Sequence, residues 1–311
     1  MNAIPVTNPP PPGTSPSETP PIETPLKRFC GEFAESKLAL IGLALLVVIV
    51  LVAIFAPLIS PQNPYDLGQL DIMDSKLAPG EKSAAGNTHL LGTDDQGRDM
   101  LSAIFYGLRI SLGVGLASTV FALAIGLFFG MIAAYFGGWV DTVIMRVVDI
   151  QLSFPAILIA LILLAVLGQG VDKIIVALIT VQWAYYARTV RASALVEKQK
   201  EYIEAAKVLA LSKTRILFRH MLPNCLPPLI VVATVQVAHA IALESTLSFL
   251  GLGLPITEPS LGLLISNGFT YLMSGKYWIS FYPGLALLLT IMSINLVADQ
   301  LRDVLNPRLK K

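Results

Sequence analysis

Charge is what this sequence of 311 residues has least of. Asp, Glu, Lys and Arg make up 14% of it, against about 25% in an ordinary soluble domain. The 22 basic and 21 acidic side chains are too few to clothe a soluble protein of this length, which excludes an ordinary cytosolic domain. A net charge of +1 gives no global field that would draw nucleic acid. Cysteine is almost absent. Cys30 and Cys225 stand far apart without ligand spacing, so neither a disulfide framework nor a zinc module is expected. The three histidines, His89, His220 and His239, make no His-Glu-x-x-His pair, and no metal site is expected. A Gly-x-x-x-x-Gly-Lys-Ser/Thr phosphate loop is missing, so the chain should not bind or hydrolyse ATP itself. No Gly-x-Ser-x-Gly turn marks a hydrolase nucleophile. Internal repeats, usual in secondary transporters, are also lacking.

What the sequence has is apolar length. Hydrophobic residues make up 54% of it and the mean hydropathy is +0.68. A membrane-crossing helix needs about 20 mostly apolar residues. Windows free of charge run from Leu38 to about Ile59, Ile110 to Val140, Ile150 to Val171, Cys225 to Leu243 and Tyr277 to Ala298. A further window, Ile174 to Ala187, has 14 residues, or roughly 21 Å of helix against a core of ~30 Å. It reads as a span because Lys173 and Arg188 can snorkel from its ends, and Trp183, Tyr185 and Tyr186 suit an interface. The expectation is an all-α membrane protein of six transmembrane helices. With the N-terminus inside, 15 Lys and Arg fall in cytoplasmic segments and 5 outside, which predicts an N-in, C-in orientation.

Residues 1–26 hold 9 of the 21 prolines and no apolar run. They are expected to be a disordered or polyproline II cytoplasmic tail rather than a signal peptide, with residues 27–311 forming the membrane domain. The first span is followed by a long outer loop, about residues 60–105. Its Asp94, Asp95, Arg98 and Asp99 either seat an extracytoplasmic partner or satisfy one another. Gly126 and Gly130, four apart, allow close helix approach, at a subunit seam or within the bundle. Arg146 and Asp149, three apart on one helix face, are expected to form a structural ion pair. Intramembrane polar groups default to functional hypotheses. Glu244 either faces a translocation path or satisfies a neighbouring helix, and Gln182, Gln236 and Asn295 are further candidates for the path.

The segment from about 188 to 223 is too polar to span. Glu201 to Leu209 is rich in helix formers, with Ile203, Ala206, Leu209 and Ala210 at helical spacing. Ser212 is a candidate N-cap for a second helix from Lys213, closed by Pro223-Asn224. Two short amphipathic helices need a surface to cover their apolar faces, either the membrane or another protein.

Glu204-Ala205-Ala206, followed at a distance by Leu222-Pro223, resembles the EAA loop of ABC importer permeases. Leu91-Gly92-Thr93-Asp94-Asp95-Gln96-Gly97-Arg98-Asp99 and Tyr106-Gly107-Leu108-Arg109-Ile110-Ser111-Leu112 resemble a signature of the dipeptide and oligopeptide subfamily. Met145 to Asp149, Ser248 to Gly253 and Leu301 to Pro307 fit the same subfamily, and within it the chain is similar to the "C"-type partner of a heterodimeric permease. The sequence departs from the pattern at Ala210, where relatives have Gly, and at Leu261, where they often have Trp.

The resemblance implies a type I ABC importer permease fold in a bacterial inner membrane. It also implies a second permease subunit, two ATPase subunits that carry ATP and Mg, an extracytoplasmic binding protein and a di- or oligopeptide cargo. A nickel chelate, glutathione or an opine is the alternative cargo, and a secondary transporter the alternative class. Tyr202, Glu204, Ala205, Ala206, Ala210 and Leu211 would then form the loop that docks on the ATPase, with Glu204 making a polar contact and Ala205 and Ala206 packing closely.

Overall fold

The computed structural model describes residues 24–305, other than 67, 69 and 256. Most of the proline-rich tail expected over residues 1–26 lies outside them. The first helix, α1 (Pro25–Ala34), starts slightly before the expected boundary, because proline at the first helical position needs no partner for its missing N–H. Then follow α2 (Lys37–Ile59), α3 (Met100–Phe136), α4 (Gly138–Leu152), α5 (Ala156–Leu167) and α6 (Val171–Lys198). After these come α7 (Glu201–Val208), α8 (Lys213–Arg215), α9 (Leu222–Phe249), α10 (Leu261–Phe269) and α11 (Trp278–Leu305). Among the described residues no strand forms beyond two isolated bridges in the long loop before α3.

Four helices are long and apolar enough to cross a bilayer: Lys37–Ile59, Met100–Phe136, Lys213–Phe249 and Trp278–Leu305. By length and apolarity alone, two of the six expected spans do not stand out as single helices. The third window is broken at Ser153-Phe154-Pro155, and α4 and α5 meet at a bend of 90°, so they give a fifth crossing only as a pair. Proline disfavours the helical conformation at the residue before it, which favours the break at Phe154-Pro155. The fourth window is the middle of α6, a 28-residue helix of about 42 Å. Gln182 and the charged ends lower its hydropathy. It is sheltered instead by the bundle, with Ile174, Ala177, Leu178, Ala184, Ala187 and Val190 fully buried.

Pro223 does not close the second inner helix. The six residues Ile216–Met221 form a π-helical turn between α8 and α9, with the Leu222 N–H donating to the Leu217 carbonyl. The wider turn carries the helix past the proline instead of ending it. Lys213 to Phe249 therefore runs as one length.

The helices share two ends. At one, α1 bonds to α11 through the Gln300 amide and the Glu32 carbonyl, and Lys198 of α6 reaches the end of α3. At the other, Trp278 donates to the Thr93 carbonyl and the Gly170 N–H to the Gly253 carbonyl.

Gly126 and Gly130 settle their open question in favour of packing within the chain. A Cβ at Gly126 would stand 2.7 Å from the Trp183 carbonyl oxygen, and one at Gly130 2.6 Å from that of Ala187. Both obstacles are α6 backbone, which cannot yield without moving the helix. Gly126→Ala should therefore destabilise the protein by about 1–3 kcal/mol. Gly113→Ala, with nothing within 4 Å of the added Cβ, should stabilise it by about 0.5–1 kcal/mol through helix propensity. Melting temperatures of the detergent-purified variants check the pair.

Candidate functional site

The EAA-like segment folds as α7 and the turn after it. Glu201 and Glu204 in its first turn and Lys207 in its last complement the helix dipole. Ile203 and Ala206, three apart, turn inward and are buried. They join Met131, Val190, Ala194, Ile216, Met221 and Cys225 in a core shared by α3, α6 and α9. Ala206 thus packs closely as expected, but against its own chain. Ala205 is exposed, as is Glu204, and Leu211 is half-buried.

The turn itself is a Schellman motif. The Leu211 N–H donates to the Ala206 carbonyl and the Ala210 N–H to that of Lys207. Such a motif requires a left-handed residue, and Ala210 has φ +54°. The departure from Gly at this position therefore has a cost, about 1–2 kcal/mol for an L-residue in that region. The turn also corrects the expected apolar face. The chain leaves the helix at Leu209, so Leu209 and Ala210 point outward with Val208, not inward with Ile203 and Ala206. Val208 is 87% exposed and Leu209 72%. Sequence reasoning missed Val208, although it lies four residues after Glu204 and seven after Glu201, on one helical face.

Two clamps hold α7 to the spans. The Tyr202 hydroxyl donates to Glu197 of α6 at 2.5 Å and accepts from the Asn224 amide of α9 at 3.0 Å. Burial, and next the carboxylate of Glu197, push its pKa up to about 12. Lys198 donates to the carbonyls of Ala134 and Tyr135 at 2.9 and 2.8 Å, capping the end of α3. Tyr202 thus serves the inner fixing of α7 as well as its partly exposed surface.

The expected pair of Arg146 with Asp149 does not form. Asp149 instead pairs with Arg188 of α6, and Asp141 pairs through both oxygens with Arg191. Neighbouring helices offer better approach than two positions on one helix, and these bridges tie α4 to α6.

At the opposite end, Asp94 and Arg98 form a buried ion pair with an Nε to Oδ2 distance of 2.6 Å, and Asp94 also accepts the N–H groups of Gln96 and Arg98. Asp99 caps α3 at Ser102 and bonds His89 at 2.9 Å. Asp95 is half-buried, and burial followed by the neighbouring Asp94 raises its carboxyl above the usual range. These groups serve one another, so the loop is a folded cover whose charges are largely consumed within it.

Glu244 is fully buried and accepts from Ser111 of α3 at 3.0 Å, Ser248 at 2.8 Å and Ser245 at 3.3 Å. Its environment is that of an internal tie. Gln182 is buried, with its amide 3.4 Å from the Gln236 carbonyl, and Asn295 is exposed on α11. Among the described residues no group of His, Cys, Asp or Glu is placed to hold a metal ion.

Among the described residues, the fold and these features define the class: an all-helical, multi-pass membrane protein with an uncovered helix at one end. Residues 126–311 match the family described as the binding-protein-dependent transport system inner membrane component, and residues 24–79 match the N-terminal TM domain of oligopeptide transport permease C. A dipeptide transport system permease protein of Escherichia coli K12 is 42% identical over 93% of this chain and 95% of its own. A putative peptide transport system permease protein of Brucella suis is 41% identical over 87% and 88%. A di/tripeptide transport system permease protein of Pseudomonas aeruginosa is 37% identical over 92% and 93%. Among solved structures, the MetNI methionine ABC transporter in an inward-facing conformation has a chain similar in fold. Its TM-score is 0.54 at 21% identity, over 67% of this chain and 98% of that one. The chain belongs to the inner membrane components of binding-protein-dependent transport systems, and is a permease subunit rather than an enzyme.

Because Ala210 is strained and Gly is not, Ala210→Gly should raise stability by about 1 kcal/mol or slightly more. Glu244→Gln should lower it by about 1–3 kcal/mol, since an amide NH2 cannot accept from the serine hydroxyls. Thermal unfolding of both variants provides the check.

Proposed function

We propose that this chain is a "C"-type permease subunit of an ATP-driven importer for di- and oligopeptides, in a bacterial inner membrane with both termini in the cytoplasm. It works beside a second permease subunit, on two ATPase subunits that hold ATP and Mg, and receives cargo from an extracytoplasmic binding protein. The peptide cargo rests on the names borne by relatives that share most of the chain's length.

One observation carries the coupling role. The outward face of α7 sets Glu201, Glu204 and Ala205 beside exposed Val208 and Leu209, and none of the described residues covers them. Aliphatic groups on an otherwise polar, firmly clamped helix suit a protein partner. Burying Val208 and Leu209 in a groove of an ATPase subunit would stabilise the contact by about 1.5–3 kcal/mol each. Glu204 supplies polar register, and Ala205 permits close approach. When ATP draws the ATPase subunits together, the clamped α7 passes that displacement to α3, α6 and α9 as a coupling free energy.

Leu209→Asp should weaken ATPase copurification by about tenfold or more, a loss of at least about 1.4 kcal/mol. Glu204→Lys should leave membrane insertion intact while lowering assembly or uncoupling hydrolysis from uptake. Pull-down of the ATPase subunits, with uptake of a radiolabelled dipeptide in cells lacking their own copy, reads both. Normal assembly and normal uptake in both variants would refute the docking assignment.

A further inference from the structure

Between α6, α9 and α11 the bundle leaves an open groove of about 860 Å³, within the range of small-ligand sites. Val232, Val235 and Gln236 of α9, Asp299 and Arg302 of α11 and Glu197 of α6 line it. Glu197 is already engaged by Lys200 and Tyr202. Asp299 and Arg302 are exposed and, among the described residues, neither has an ion-pair partner. With Asn295, also exposed, they fall at i, i+4 and i+7, so one polar stripe follows a single face of α11.

This arrangement has a definite complement. Two unspent charges of opposite sign, held on a rigid helix and facing aliphatic side chains, suit a short molecule with one cation, one anion and apolar matter between them. A divalent cation would want further carboxylates in place of the guanidinium. An apolar partner helix would leave both charges without answer. A short peptide with free termini satisfies all three elements.

We infer that this groove is a cargo-binding station, in which Asp299 takes the peptide's ammonium group and Arg302 its carboxylate. The planar guanidinium suits a carboxylate through two parallel hydrogen bonds. Gln236 offers its amide to the peptide backbone, and the valines accept varied side chains without selecting among them. Charge pairs open to solvent are weak, which suits a station that must release its cargo. The inference rests on the peptide-import reading above and adds where the peptide sits in this chain.

The test uses the complete transporter without nucleotide in nanodiscs, with Cys30→Ser to remove the exposed native thiol and Val235→Cys as reporter. The rate of Val235→Cys labelling by a small thiol reagent is measured with millimolar Ala-Ala, and with the same dipeptide acetylated and amidated. Free Ala-Ala should slow labelling about threefold or more, as expected when a ligand exceeds its dissociation constant severalfold. The capped peptide should not, and Asp299→Asn or Arg302→Gln should abolish the protection. Val231→Cys replaces the reporter if Val235→Cys fails to assemble. Equal protection by free and capped peptide, no protection by either, full protection in both charge variants, or a reporter closed to the reagent would each overturn the station. Uptake by the parent transporter separates the two readings. Peptide uptake without protection sinks this site alone, whereas no peptide uptake sinks the cargo assignment and the station with it.

Discussion

The close approach of α3 and α6 at Gly126 and Gly130 is the constraint on which the rest of the bundle depends. Apolar side chains gain little by leaving lipid for one another, so helices in a bilayer associate through tight packing and satisfied polar groups. Here the absence of two Cβ atoms lets α3 meet the α6 backbone itself. That contact explains how α6, with its buried Gln182 and charged ends, stays with the spans although its own apolarity is modest. The ion pairs of Arg188 and Arg191 then bring α4 against α6, and the Glu244 hydroxyl cluster ties α3 to α9.

The position of α7 follows from that seam. Lys198 fastens the end of α6 to the end of α3, and Tyr202 fastens α7 to Glu197 and Asn224. Ile203 and Ala206 insert into the core between α3, α6 and α9. A helix held on three sides can transmit a push, whereas one tethered only by flexible chain would absorb it. The outward face, with Val208 and Leu209, stays exposed, and the strained turn at Ala210 sends the chain back toward the π-helical turn and α9.

Much of this was legible in the sequence because local patterns report local structure. Scarcity of charge placed the chain in a membrane, and the Ser212 cap before Lys213 marked a helix start. The motif around Glu204 marked the helix that we propose docks on a partner. What failed depended on neighbours distant in sequence. Asp149 chose Arg188 across a helix interface over Arg146 on its own helix. α6 gains from its neighbours the shelter that its composition does not advertise. Leu209 looked inward by periodicity, yet the helix ends beneath it and the Schellman turn rotates it outward. Glu244 carried two readings because a buried carboxylate needs partners, and those partners lie on another helix and in nearby serines.

The central claim is that the outward face of α7, and not its inward face, meets an ATPase subunit. Cysteine cross-linking in the assembled transporter, after Cys30→Ser, tests it most directly. Ala205→Cys and Val208→Cys should cross-link to an ATPase subunit in high yield, while Ala206→Cys, one position along but buried, should not. Cross-linking from Ala206→Cys with none from Ala205→Cys or Val208→Cys would contradict the account.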